Sequence, residues 1–143
     1  MTATYRRLPT DSSNRRAYTI TVGLQIGYDV APAVPKSIAR NIVLDWIARR
    51  IVEKKPFLTF RMTHCDLLYG WAAEDGFPQT VSEPGLFLDG DVSVLHGAHI
   101  RDGEIMEMLD DVAERLGAAL KQTRVYLTYR ATAWVLEREE ETP

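Results

Sequence analysis

A chain of 143 residues, 45% hydrophobic and 26% charged, has the length and balance of one globular domain whose core needs neither disulfides nor metal. A net charge of −3 leaves no overall basic footprint for nucleic acid. The single cysteine, Cys65, excludes an intrachain disulfide, and no apolar run approaches the roughly 20 residues of a membrane helix.

Met1–Arg16 is polar, lacks the apolar stretch of a secretory signal, and reads as a flexible arm (residues 1–16) carrying Arg6, Arg7, Arg15 and Arg16. A strand is expected over Tyr18–Tyr28. Tyr18, Ile20, Val22, Leu24 and Ile26 alternate with Thr19, Thr21, Gly23, Gln25 and Gly27. The second face is small and polar, and its glycines leave room for close approach to the backbone.

Pro35 opens a helix to Val52, with Ile38, Ile42, Trp46, Ile47 and Ile51 as the expected apolar stripe. Phe57–Leu68 alternates again, with His64 in phase with Leu58, Phe60 and Met62. That phase makes His64 a half-buried, hydrogen-bonded side chain. Thr80–Leu88 and Asp91–His96 flank Asp89-Gly90, a hairpin signal because type I′ turns need positive φ, and Pro84 marks an edge or a bulge.

A second helix is expected over Gly103–Lys121 with Asp102 as N-cap. Its apolar stripe is Ile105, Leu109, Val112, Leu116 and Leu120. Glu107, Asp110, Asp111 and Glu114 form a solvated acidic face. Thr123–Leu136 reads as one strand, with Tyr126, Arg130 and Trp134 on its outer face beside Thr128 and Thr132. A charged tail, residues 138–143, closes the chain.

This order predicts one α+β domain over residues 17–137, ferredoxin-like β-α-β-β-α-β. One mostly antiparallel sheet of four to five strands carries two helices on one face. The pattern leaves open whether residues 57–68 or 80–88 take the second position of the core sheet.

Three segments carry a family likeness: Tyr18–Leu24, Thr80–Glu83 with Asp89-Gly90 and Val92–Val94, and Leu116–Leu127. They resemble small ferredoxin-like proteins of uncharacterised function from phages and mobile elements. The resemblance covers about a quarter of the chain. It implies the fold, and a phage role in countering host defence signals.

Three constellations carry candidate chemistry. Tyr126 and Trp134 offer stacking faces, Arg130 and Arg61 offer planar forks for an anion, and Gly23 permits close approach. The same residue types suit a subunit interface. His64, Asp66 and Tyr69 could serve acid–base chemistry. His96 and His99 face opposite sides if extended, so no metal site is expected. Phosphate-loop, dinucleotide, Gly-x-Ser-x-Gly and Cys-x-x-Cys motifs are absent, and no cofactor is expected.

These readings lead to a cytoplasmic, non-enzymatic, homo-oligomeric binding protein. It would capture a small anionic ligand, a nucleotide signal, at Arg130, Tyr126, Trp134, Arg61 and Gly23, with no membrane or nucleic-acid partner. The alternatives are a small acid–base enzyme using His64, Asp66 and Tyr69, or His96 and His99, and a protein-interaction module.

Overall fold

The computed structural model describes residues 3–8, 15–25 and 34–139. Ile26, Gly27 and Tyr28, half of the arm and the last residues of the tail lie outside them. The elements run β1 (Ala17–Gly23), α1 (Lys36–Val52), β2 (Arg61–Ala72), β3 (Pro78–Asp91), α2 (Asp102–Ala119), β4 (Arg124–Tyr129) and β5 (Thr132–Glu137). One five-stranded sheet has the order β2-β3-β1-β4-β5, with every neighbouring pair antiparallel. The α+β, ferredoxin-like expectation holds, with β5 added at one edge.

The core lies between sheet and helices. Tyr18, Ile20, Val22, Leu86, Leu88, Val125 and Leu127 fill it from the sheet. Ile105, Leu109, Val112 and Leu116 fill it from α2 as the periodicity predicts. Each such side chain contributes on the order of 1.5–3 kcal/mol by leaving water. On α1 the buried residues are Ala39, Val43 and Trp46, while Ile38 and Ile51 are exposed. The stripe is rotated from the expected one because small Ala39 and the indole of Trp46 let α1 settle close to its neighbours.

The acidic face of α2 does more than meet water. Asp111 accepts a hydrogen bond from Trp46 Nε1 at 2.8 Å, and Asp110 accepts one from Trp134 Nε1 at 2.7 Å. These bonds tie α2 to α1 on one side and to β5 on the other. Asp102 is the first helical residue rather than the N-cap, which is Arg101 without a side-chain cap bond.

Asp89-Gly90 does not turn. β3 runs straight through it, and the hairpin joins β2 to β3 around Gly76, which has φ +83°. Gly90 is needed for packing instead. A Cβ there would lie 2.6 Å from Thr59 O and 2.7 Å from the Tyr18 hydroxyl, which donates a hydrogen bond to Thr59 O. Residues 61–68 and 80–88 thus pair with each other, and β3 lies beside β1. Pro84 is not at an edge: it pairs with Asp66 of β2, and on the other side its carbonyl accepts from Leu24 N–H at 3.0 Å, just past the Gly23–Gly85 pair.

Candidate functional site at the end of the central strand

The sheet face away from the helices is open. Register defines its rows: Arg61, Asp89, Thr19, Thr128 and Ala133 in one, then Thr63, Phe87, Thr21, Tyr126 and Val135. Beyond them Gly23 stands opposite Gly85, two strand positions without side chains next to each other. Tyr126 is 50% exposed and Val135 47% exposed, so this shelf is not buried by the described residues.

Two side chains converge over Gly23. A Cβ on Gly23 would lie 2.6 Å from Gln122 Oε1 and 3.5 Å from Glu83 Oε1. Gln122 is delivered by the end of α2. Lys121 takes the left-handed conformation (φ 55°), its N–H bonds Ala118 O, and Gln122 N–H bonds Gly117 O at 2.9 Å. That pair of bonds is a Schellman cap, and it fixes where Gln122 leaves the helix. The amide itself is oriented by its nitrogen. Nε2 donates to Gln25 O at 2.9 Å and to Leu120 O at 3.0 Å, bonds the oxygen cannot make. Oε1 therefore points at the space above Gly23, beside the Glu83 carboxylate. Leu67 lies over Gly85 and gives the depression an apolar side.

Two oxygens, one formally charged, thus come together beside the buried backbone of Gly23. Such a site favours a cation or a hydrogen-bond donor over an anion. Tyr126 pairs with Thr21, one step diagonal from Gly23 and roughly 7–8 Å away, and presents an aromatic face on the same side.

The expected site residues do not form one constellation. Gly23, Tyr126 and Arg61 share the open face, but Arg61 lies three strands from Tyr126 and is paired to Asp89. Trp134 is on the opposite face, against α2. Residues 123–136 are two strands joined by a tight turn at Arg130 and Ala131, and the register pairs odd with even numbers, so the alternation changes phase. Trp134 pairs with Leu127 on the core face, and Val135 is turned outward.

Arg130 sits at that turn, φ 53°, near the other end of β1. There Asp102 accepts from the Tyr129 hydroxyl at 2.5 Å and from Arg16 Nη2 at 3.1 Å, with Arg130 Nη1 at 3.5 Å. The Tyr129 hydrogen bond and the neighbouring Arg16 hold the Asp102 carboxyl below its usual range. Burial and Asp102 push the Tyr129 hydroxyl up. The proton therefore stays on tyrosine.

His64 is exposed rather than half-buried. It belongs to the edge strand β2, whose helix-side residues beyond Met62 are exposed. Asp66 shares that side, while Tyr69 lies on the open face and stacks on Trp71 at 6.3 Å. The three do not assemble as an acid–base group. His96 and His99 are exposed in the loop after β3, and no metal-binding group of three or more acidic, histidine or cysteine side chains occurs among the described residues. Among those residues no helix is long and apolar enough to cross a membrane.

No family model matches the chain, and no curated protein matches it. Two solved structures share its fold. One is a phage SAM lyase in complex with S-methyl-5′-thioadenosine, at TM-score 0.64 and 17% identity, covering 98% of this chain and 100% of that one. The other is a phage SAM lyase in the apo state, at TM-score 0.62 and 11% identity, covering 89% and 92%. These are phage proteins, as the resemblance implied, but named enzymes rather than proteins of uncharacterised function. They overturn the non-enzymatic binder as the reading of this fold. The convergent oxygens at Gly23 likewise argue against an anion as the ligand there.

Proposed function

We propose that the chain is a lyase acting on S-adenosylmethionine (SAM), with Gly23, Glu83 and Gln122 forming the sulfonium end of its site. The observation that supports this reading is the pair of oxygens, Gln122 Oε1 and Glu83 Oε1, brought together beside Gly23. A sulfonium is a small, fixed cation that donates no proton, so it is recognised by carboxylate and carbonyl oxygens at close range. The fold it shares with SAM lyases supports the same substrate.

The chemistry follows from the balance of the reaction. To leave S-methyl-5′-thioadenosine, the bond between sulfur and the four-carbon amino-acid chain breaks, and its electron pair neutralises the sulfonium. The γ-carbon then takes a pair from the substrate's own carboxylate by ring closure. No water is consumed. Positive charge moves from sulfur toward the γ-carbon in the transition state. A carboxylate set beside that carbon stabilises the transition state more than the ground state. We assign this role to Glu83. Gln122 orients the sulfonium, and Tyr126 offers its face to the adenine. A second copy packed across the open face would shield the shelf from water, and native mass spectrometry reads that assembly.

The test is incubation of the purified chain with SAM and chromatography of the nucleoside products. The wild type is expected to release S-methyl-5′-thioadenosine. Glu83→Gln, which keeps the shape, is expected to lose about 10²–10³-fold in kcat. Absence of that product with the wild type, or unchanged turnover by Glu83→Gln, would sink the assignment.

A further inference from the structure

A cavity of about 510 Å³ opens at the end of β1 remote from Gly23. Its charged lining, among the described residues, is three arginines against one carboxylate: Arg16, Arg101 and Arg130 with Asp102. The arginines come from three separate places in the chain, before β1, before α2, and at the β4–β5 turn. Arg16 is the best buried of the three, its side chain 17% exposed. It is held rigidly, with Nε donating to the Tyr129 hydroxyl at 2.9 Å and Nη2 to Ile100 O at 2.6 Å. Arg130 and Arg101 are less constrained. Arg130 reaches Asp102 only at 3.5 Å, and Arg101 pairs with Glu104 at 3.3 Å with its side chain 88% exposed.

Asp102, with Glu104 on Arg101, does not balance this lining, since two carboxylates serve three arginines. The Asp102 oxygens already serve Tyr129, Arg16 and Arg130. The cavity therefore carries excess positive charge, one cation of it partly desolvated, on a chain whose net charge is −3. A long polyanion would be repelled by that surrounding charge, whereas a small anion feels mainly the local excess. The volume lies within the range of small-molecule sites and exceeds what a single phosphate needs. The exposed guanidinium forks of Arg101 and Arg130 suit adjacent phosphate groups, each accepting paired N–H donors, while Arg16, whose Nε and Nη2 are already bonded, adds a fixed positive charge.

We propose that this cavity binds a small molecule carrying a diphosphate group, at a site separate from the one over Gly23. Arg16 is the fixed anchor, and Arg101 and Arg130 close on the ligand from the rim. Ser93, which also lines the cavity, adds a hydroxyl donor.

The probe is inorganic pyrophosphate, titrated into the full chain by calorimetry in 0.15 M NaCl. Saturable binding at one site per chain is expected, weakened at least tenfold in the double variant R101A/R130A. Both side chains are substantially exposed, and circular dichroism checks that the variant keeps its fold. Heat that does not saturate, or equal affinity in the double variant, overturns the proposal and leaves a general ionic atmosphere. Equal binding of sulfate and pyrophosphate overturns the diphosphate class.

Discussion

Substituting Gly23 by alanine tests the geometry over the central strand directly. The added methyl carbon would sit 2.6 Å from Gln122 Oε1, a separation that atoms do not hold, so the Gln122 side chain must swing away. That movement gives up the Nε2 bonds to Gln25 O and Leu120 O. Two such bonds are worth about 1–3 kcal/mol net. Replacing glycine in a strand returns about 0.5–1 kcal/mol. The expected net loss is therefore between about 0 and 2.5 kcal/mol, centred near 1, read as a lower urea midpoint with an unchanged slope. Turnover of SAM should fall with it, because the backbone floor is covered and the amide oxygen displaced. In Gly23→Ala/Gln122→Ala the clash is gone and the bonds are already lost, so the two stability changes should fall short of additivity by about 1 kcal/mol or more. Strict additivity would mean that the two residues do not touch. A Gly23→Ala variant with wild-type midpoint and wild-type turnover would place the chemistry elsewhere.

Three further outcomes are expected. Lys121→Gly should raise stability by about 0.5–1 kcal/mol, since a left-handed φ of 55° costs lysine but not glycine; thermal melting reads it, and a loss would show that the Lys121 side chain has a role the cap does not need. Trp134→Phe should cost about 1–2 kcal/mol in urea, the charge-assisted bond to Asp110 being lost with the ring still covered. Burial pushes the Tyr18 phenol up from 10.0 to about 12, although its bond to Thr59 works the other way. A raised pKa favours the neutral phenol in the folded state. Its contribution is therefore complete below pH 10 and is lost as the pH rises toward 12. Phenolate absorbance should show late titration from Tyr18 as well as from Tyr129, and the Tyr18 part should be absent in Tyr18→Phe.

The β1 and α2 cores were legible because each keeps a single period over its whole length. Two failures came from residues whose local signal served another purpose. Asp89-Gly90 has turn chemistry, but the glycine is there to admit Tyr18 and Thr59. Arg130-Ala131 has none, yet it turns, with Arg130 itself left-handed at φ 53°. Its backbone N–H is held by Ala17 O at 2.9 Å, a long-range bond that no local pattern announces. Missing that turn inverted the faces of everything after it, which is how Trp134 joined the wrong surface. Gly23 was legible as a gap in a polar strand face. Glu83 and Gln122 were not, because one arrives through the β3 register and the other through a helix cap. The only local sign of the cap is a polar pair, Lys121-Gln122, ending a clean apolar stripe.

The placement of both poles by α2 follows from the dimensions of the elements. Its 18 residues are roughly 27 Å long. The seven residues of β1 extend roughly 23 Å. A helix of that length, packed across the strand, begins near one end of β1 and finishes near the other. Asp102 at its first residue therefore meets Arg16 just before β1, and Gln122 just past its cap meets Gly23 at the end of β1. The middle of the helix is committed to structure, with Leu109, Val112 and Leu116 in the core and Asp110 and Asp111 on Trp134 and Trp46. Packing thus leaves chemistry only to the two ends, and the charges there are opposite because the groups delivered are opposite. A carboxylate and an amide oxygen gather at one end, and three guanidinium groups outnumber a carboxylate at the other. A cation such as a sulfonium and an anion such as a diphosphate would therefore not compete for one pocket, since each is disfavoured where the other is held.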